Sequence, residues 1–126
     1  MQSLELAWDT YDFYTAKAYE LEESHQHTIQ YYHNFIQKNL NPSQTKKSWL
    51  RNKMNKSFNK ILNIYVKQIN SITDLLKIYD YYRMNGITVP AERRLNIQDL
   101  VNLKNITATL VEEVKVFRRE INEVLR

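Results

Sequence analysis

The chain has 126 residues, with 18 Lys and Arg against 14 Asp and Glu, one glycine and no cysteine. The lack of cysteine excludes disulfides, cysteine-ligated metal centres and thiol nucleophiles, and a single glycine excludes the glycine-rich phosphate loops of nucleotide enzymes. This length predicts one helical-bundle domain, residues 1–126, with a self-sufficient core.

The first predicted element is a long helix over residues 4–39. Its apolar positions follow one another in alternating steps of three and four residues, which is the spacing of a helical seam and not of a strand. The seam contains His25 and Thr28. We expect these two side chains to form a polar layer facing Ser57 of the next helix, where it would fix the register of the two helices.

The second predicted helix covers residues 45–84. Pro42 cannot continue the first helix, and Ser43 or Thr45 can cap the second. Gly86 can adopt the left-handed conformation that ends a helix. The segment Ser71–Asp74 has the spacing of a capping box, so an alternative reading breaks this helix into two and gives four helices in all.

The third predicted helix covers residues 97–125 and follows a loop that contains Pro90. Asn96, with Asp99 three residues later, is its predicted cap. The sequence thus predicts an all-α fold, an elongated antiparallel up-down-up bundle of three long, coiled-coil-like helices. Helices of this length have more apolar surface than one narrow contact seam can bury. A homo-oligomer that buries the remaining surface is therefore a further hypothesis.

Charge is distributed very unevenly along the chain. Residues 1–24 contain six acids and one lysine, whereas residues 25–67 contain eight Lys or Arg and no acid. The 50 residues between Glu23 and Asp74 include no carboxylate. This skew predicts a basic surface on the second helix that meets an acidic partner.

Lysines recur every seven residues along the second helix, which places them on one stripe away from the apolar face. Ammonium and guanidinium groups bind phosphates, asparagine can donate to phosphates or base edges, and an aromatic ring can stack on a base. Nucleic acid is therefore the first candidate partner. The predicted binding residues are Lys46, Lys47, Trp49, Arg51, Lys53, Lys56, Lys60 and Lys67, with Asn52, Asn55, Asn59 and Asn63 beside them.

Three alternatives stay open for this basic stripe. It could be a solvated face balanced by the acids of the first helix, or it could meet an acidic protein surface. An anionic membrane surface is disfavoured, because it would need exposed apolar wedges that the sequence does not identify. With no apolar run of bilayer length and no signal-peptide layout, we expect a soluble cytoplasmic protein.

A competing prediction is a helical adaptor or self-assembling protein that binds other proteins. Tyr79, Tyr81 and Tyr82 follow closely on one helix and cannot all face one core, so at least one should be exposed. Tyrosine is favoured at protein interfaces because it combines apolar area with a hydroxyl. These three residues are the predicted protein interface.

No residue pattern predicts catalysis, a cofactor or a metal. No serine or threonine has the surroundings of a nucleophile elbow, and adjacent glutamates on a helix diverge by about 100° and cannot act on one bond. Glu22 and His25 have the spacing of a di-iron half-site, but the second half-site that such a centre needs is missing. We therefore expect a non-catalytic binding protein.

Overall fold

The computed structural model describes residues 3–89 and 95–126, and these form three long helices without a strand. They are α1 (Leu4–Lys38), α2 (Gln44–Met84) and α3 (Ile97–Val124). Each predicted boundary lies within one residue of the observed one, and the all-α three-helix fold is confirmed. Pro90, in the predicted loop, lies outside the described residues. None of these three helices is sufficiently long and apolar to cross a bilayer.

Capping side chains fix where each helix begins. The Oγ of Ser3 accepts a hydrogen bond from the Leu6 amide, and the Oγ of Ser43 accepts one from the Lys46 amide. At α3 the predicted box forms in both directions, because the Asp99 amide donates to Asn96 and the Asn96 amide donates to Asp99. These bonds satisfy amides that have no partner inside the helix.

The alternative four-helix count is wrong, because α2 runs without a break through residues 71–74. The hydroxyl of Ser71 donates to the carbonyl of Gln68 at 2.7 Å, and that of Thr73 donates to the carbonyl of Ile69 at 2.9 Å. Both hydroxyls thus bond back into the helix and do not cap free amides. Ile72 is buried in the core, which holds the helix through this segment.

Helix α2 lies between the other two helices and contributes most of the core. Its C-terminal half packs with Trp8 of α1 and Leu100 of α3, and its N-terminal half packs with Tyr32 of α1 and Leu125 after α3. A third cluster around Ala18 and Val111 joins them in the middle. The start of α1 packs against the end of α2, and the end of α2 packs against the start of α3. Neighbouring helices are therefore antiparallel, and α1 is parallel to α3.

One of the polar contacts between α1 and α2 involves a buried histidine. The Nδ1 of His25 shares a hydrogen bond of 2.6 Å with the Oγ of Ser57, and the imidazole also packs edge-on against Phe58. Burial lowers the pKa of His25 below its ordinary value. The predicted contact of His25 with Ser57 is confirmed. Thr28 does not bond to Ser57, because its hydroxyl donates to the Ser24 carbonyl of its own helix.

Candidate nucleic-acid interface

A long groove runs between α1 and α2, and the described residues that line it all belong to these two helices. It consists of two depressions of about 500 and 450 Å³ that share Leu21 and Lys60. We refer to it as the basic groove, because its described lining includes five lysines and no carboxylate. These groove lysines are Lys17, Lys53, Lys56, Lys60 and Lys67.

The predicted lysine stripe faces solvent along this groove. Lys53, Lys56, Lys60 and Lys67 are exposed, whereas Met54, Phe58, Ile61 and Tyr65 on the other side of α2 are buried. Within residues 3–89 and 95–126, no carboxylate forms an ion pair with these four lysines or with Lys46. Within the described residues, the positive charge of the stripe is therefore not neutralised by ion pairs.

An aromatic pair from two helices stands at one end of the basic groove. Tyr31 of α1 and Trp49 of α2 meet edge to face, with ring centroids 5.9 Å apart. Tyr31 is 41% exposed and Trp49 is 52% exposed. The Nζ of Lys53 lies 4.9 Å from the Tyr31 centroid and 5.6 Å from the Trp49 centroid, a cation–π arrangement.

A second aromatic pair stands at the other end of the basic groove. Phe13 and Tyr14 meet with ring centroids 5.4 Å apart, and the Nζ of Lys67 lies 5.8 Å from the Tyr14 centroid. Phe13 is 63% exposed. Lys17 also lines this end, and it pairs with Glu20 at 3.2 Å on the exposed surface. Each end of the groove thus combines two rings with a lysine.

Several predicted binding residues lie away from the basic groove. The Nη1 of Arg51 donates to the Leu125 carbonyl at 3.3 Å, so its guanidinium holds the end of α3. Lys47 is half-buried in the first turns of α2, and Lys46 is exposed there. Asn55 faces α3, where Arg118 donates to its Oδ1. Of the four asparagines, Asn52 and Asn63 line the groove.

The sequence did not point to the α1 side of the groove. Residues 1–24 are acidic overall, so α1 had no apparent role in a basic surface. A helix has several faces, however, and one face of α1 lies next to α2. The residues on that face follow one another in steps of three and four, and they are Lys17, Leu21, Ser24 and Thr28. Summing the charges on each face of α1 separately, and not along its sequence, would have shown that Lys17 lies on a face without acids.

Two of the α1 acids, Glu22 and Glu23, lie on the side of the helix that faces α3. A separate depression of about 530 Å³ between α1 and α3 is lined by Glu22, Glu23 and Glu113 together with Tyr19. The Tyr65 hydroxyl donates to the Glu22 carboxylate at 3.0 Å, and burial followed by the charge of Glu22 raises the pKa of Tyr65. The two surfaces of α1 therefore carry opposite charge.

The three tyrosines near the end of α2 have different surroundings. Tyr79 is in the core, where its hydroxyl accepts a hydrogen bond from the Trp8 Nε1 at 3.0 Å. Tyr82 is half-buried against the same cluster, and Tyr81 is 44% exposed. Tyr79 thus stabilises the chain itself, and only Tyr81 and the edge of Tyr82 are left for a protein interface.

Glu22 and His25 each bond to a different side chain of α2. The Glu22 carboxylate accepts from the Tyr65 hydroxyl, while the His25 Nδ1 bonds to Ser57. In the part of the chain that the structure describes, no group of three His, Asp or Glu side chains has a geometry suited to a metal ion.

The fold and the groove together define the chain as an all-α bundle with one basic, aromatic-ended surface. No protein-family model matches this chain, and comparisons with curated proteins and with solved structures find no match. Its function has to be inferred from the side chains of the groove.

Proposed function

We propose that this chain is a non-catalytic binding protein that engages an acidic macromolecule, with nucleic acid as the first candidate, along the basic groove. One observation carries the proposal: the exposed lysines of α2 have no carboxylate partners in the described residues, although α1 is rich in acids. No Asp or Glu lies three or four residues from Lys53, Lys56 or Lys60 in the sequence, so the kind of pair that Lys115 forms with Glu112 is not available to them.

The electrostatic reasoning follows from counterion release. Each lysine that neutralises a phosphate frees a condensed cation, which makes binding favourable and strongly dependent on salt. Seven residues of helix advance about 10.5 Å, so Lys53, Lys60 and Lys67 form a straight row of charge. Lys56 fills the gap between the first two. Such a row suits an extended polyanion better than a small anion.

The test removes charge from the groove without changing the fold. In Lys53→Gln/Lys56→Gln/Lys60→Gln, the affinity for a fluorescein-labelled oligonucleotide should fall at least tenfold at 100 mM salt. The slope of log affinity against log salt should shrink by about two to three, because each of the three lost phosphate contacts removes about 0.7 to 0.9. Fluorescence anisotropy at four salt concentrations measures both quantities.

The matched control removes the same charge from α3, which does not line the groove. Lys104→Gln/Lys115→Gln/Arg119→Gln should bind within about twofold of the unaltered protein, since more distant charges are largely screened at this salt. Equal losses in the two triple variants would mean that net charge alone drives binding. That result would refute the proposal, and failure of the unaltered protein to bind the oligonucleotide would remove nucleic acid as its first candidate.

The second candidate function is a helical adaptor that binds another protein near the end of α2. It is favoured by a group of exposed apolar side chains there, with Tyr81 44%, Met84 77% and Ile87 44% exposed. Isolated exposed apolar residues are common, but a cluster of them often marks an interface. Tyr81→Ser/Met84→Ser should then abolish partner capture in a pull-down and leave oligonucleotide affinity unchanged.

A further inference from the structure

We infer that the occupant of the basic groove is a single-stranded nucleic acid, whose bases stack on the Tyr31 and Trp49 pair while its phosphates follow the groove lysines. This inference rests on the proposed function and narrows it. Lysines alone would attract any polyanion. The exposed rings at the groove ends distinguish one class of polyanion from the others.

Exposed aromatic rings select for unpaired bases. In a duplex each base is covered by its neighbours in the stack, so its flat face is not accessible to a side chain. A single strand presents those faces, and every base has one, so stacking is tolerant of sequence. Trp49, with about half of its surface in solvent, offers the largest such ring in the groove.

The same arrangement occurs at both ends of the groove, which argues for an elongated ligand. Tyr31 and Trp49 lie beside Lys53, and Phe13 and Tyr14 lie beside Lys67. From residue 49 to residue 67 a helix advances about 27 Å. A stacked strand, at about 3.4 Å per nucleotide, would place about eight nucleotides along that length, and eight is within the range of known single-strand sites.

The position of the lysines fits a strand that stacks at its ends. Lys56 and Lys60 lie between the two aromatic pairs and line the middle of the groove together with Ser24, Thr28 and Ser57. Lys53 already contacts both rings of the first pair. A base on Trp49 would bring its own phosphate close to this ammonium group, so stacking and charge neutralisation reinforce each other.

The two tryptophans provide an internal probe. Trp8 is buried in the core at 3% exposure, whereas Trp49 is 52% exposed in the groove. Stacking of a base on Trp49 should quench its fluorescence while Trp8 continues to emit. We would titrate the protein with dT8, with an eight-base-pair duplex, with heparin and with poly-glutamate at equal salt. The dT8 strand should bind at least tenfold more tightly than the duplex, and it alone should quench Trp49.

Variants then separate stacking from charge. Loss of one base–aromatic stack typically weakens binding by about tenfold. We expect Trp49→Leu and Tyr31→Leu each to weaken binding of labelled dT8 by that factor and to leave heparin binding unchanged, whereas Trp49→Phe should restore most of the loss. The control is Tyr19→Leu, which removes a ring that is 70% exposed in the depression between α1 and α3. It should not alter dT8 binding.

Each outcome decides between the two proposals. If dT8, the duplex and heparin bind equally and Trp49→Leu has no effect, the basic groove stands but the stacking inference is overturned. If poly-glutamate binds and no nucleic acid does, the partner is an acidic protein and the inference also falls. If none of the four polyanions binds, both the inference and the proposed function are refuted.

Discussion

At the scale of single residues, the hydrogen bond between His25 and Ser57 joins the two sides of the bundle. His25 borders the acidic depression between α1 and α3, and Ser57 borders the basic groove between α1 and α2. A buried imidazole without a partner would destabilise the fold, and the serine hydroxyl supplies that partner. The pair thus links α1 to α2 at the level of the groove, and its effect on the register of the two helices stays a prediction.

His25 should make the stability of the protein depend on pH. Burial lowers its pKa in the folded state from the ordinary value of 6.5, so the unfolded chain binds a proton in a range where the folded chain does not. The free energy of unfolding should then fall as pH drops below about 6.5, and level off below the pKa of the folded state. Urea unfolding from pH 7.5 to 5.5 measures this slope.

Two variants assign that slope to one histidine. His25→Leu should flatten the pH dependence over this range, because the titrating group is gone. His27→Gln, which alters an exposed histidine, should leave it unchanged. A slope that survives His25→Leu would place the titrating group elsewhere.

At the scale of helices, two serines that look alike in sequence have different roles in α2. Ser43 caps the first turn by accepting from the Lys46 amide, whereas Ser71 in the interior donates to the Gln68 carbonyl. That carbonyl already has its helical partner, so the Ser71 bond adds little. The surrounding packing, with Ile72 and Leu75 buried, decides that the helix continues.

The two serines should therefore differ when each is replaced by alanine. Ser43→Ala should lower the free energy of unfolding by about 1 kcal/mol, the usual effect of losing an N-cap. Ser71→Ala should change it by no more than about 0.5 kcal/mol, because the better helix propensity of alanine offsets the lost bond. Urea unfolding followed by circular dichroism gives both values. A large loss in Ser71→Ala alone would contradict this assignment.

At the scale of the whole molecule, the bundle separates its charges onto different surfaces. The carboxylates Glu22 and Glu23 turn toward α3, and the lysines of α2 border the basic groove. Like charges three and four residues apart on a helix repel one another, as at Lys53, Lys56 and Lys60. This repulsion lowers the stability of the folded protein, and under the proposed function it is the cost of keeping a basic surface open for a ligand.

Charge reversal at the centre of the groove should stabilise the protein while it damages binding. Lys56→Glu replaces two repulsive pairs with two attractive ones, and we expect the free energy of unfolding to rise by about 0.5 kcal/mol at 20 mM salt. The gain should shrink at 500 mM salt, where these charges are screened. Urea unfolding at both salt concentrations tests this, with Lys56→Gln as an intermediate. A loss of stability at low salt would show that Lys56 has an attractive partner.

The amino-acid sequence determined the helices, their ends and the lysine stripe. These features depend on local physics, namely the spacing of apolar residues, the capping of Ser43 and Asn96, and the seven-residue repeat of lysines. The contact between His25 and Ser57 could also be predicted from the sequence, since both residues lie on the apolar seams of neighbouring antiparallel helices.

Only the tertiary structure decided how the site is assembled. Three features depend on how far each helix is rotated about its own axis. They are the contact of Tyr31 with Trp49, the position of Phe13 and Lys17 in the groove, and the bond from Arg51 to the end of α3. That rotation is set by packing over the whole core, which the residues of one helix do not encode. The same packing buries Tyr79 and exposes Tyr81, although they are two residues apart on one helix.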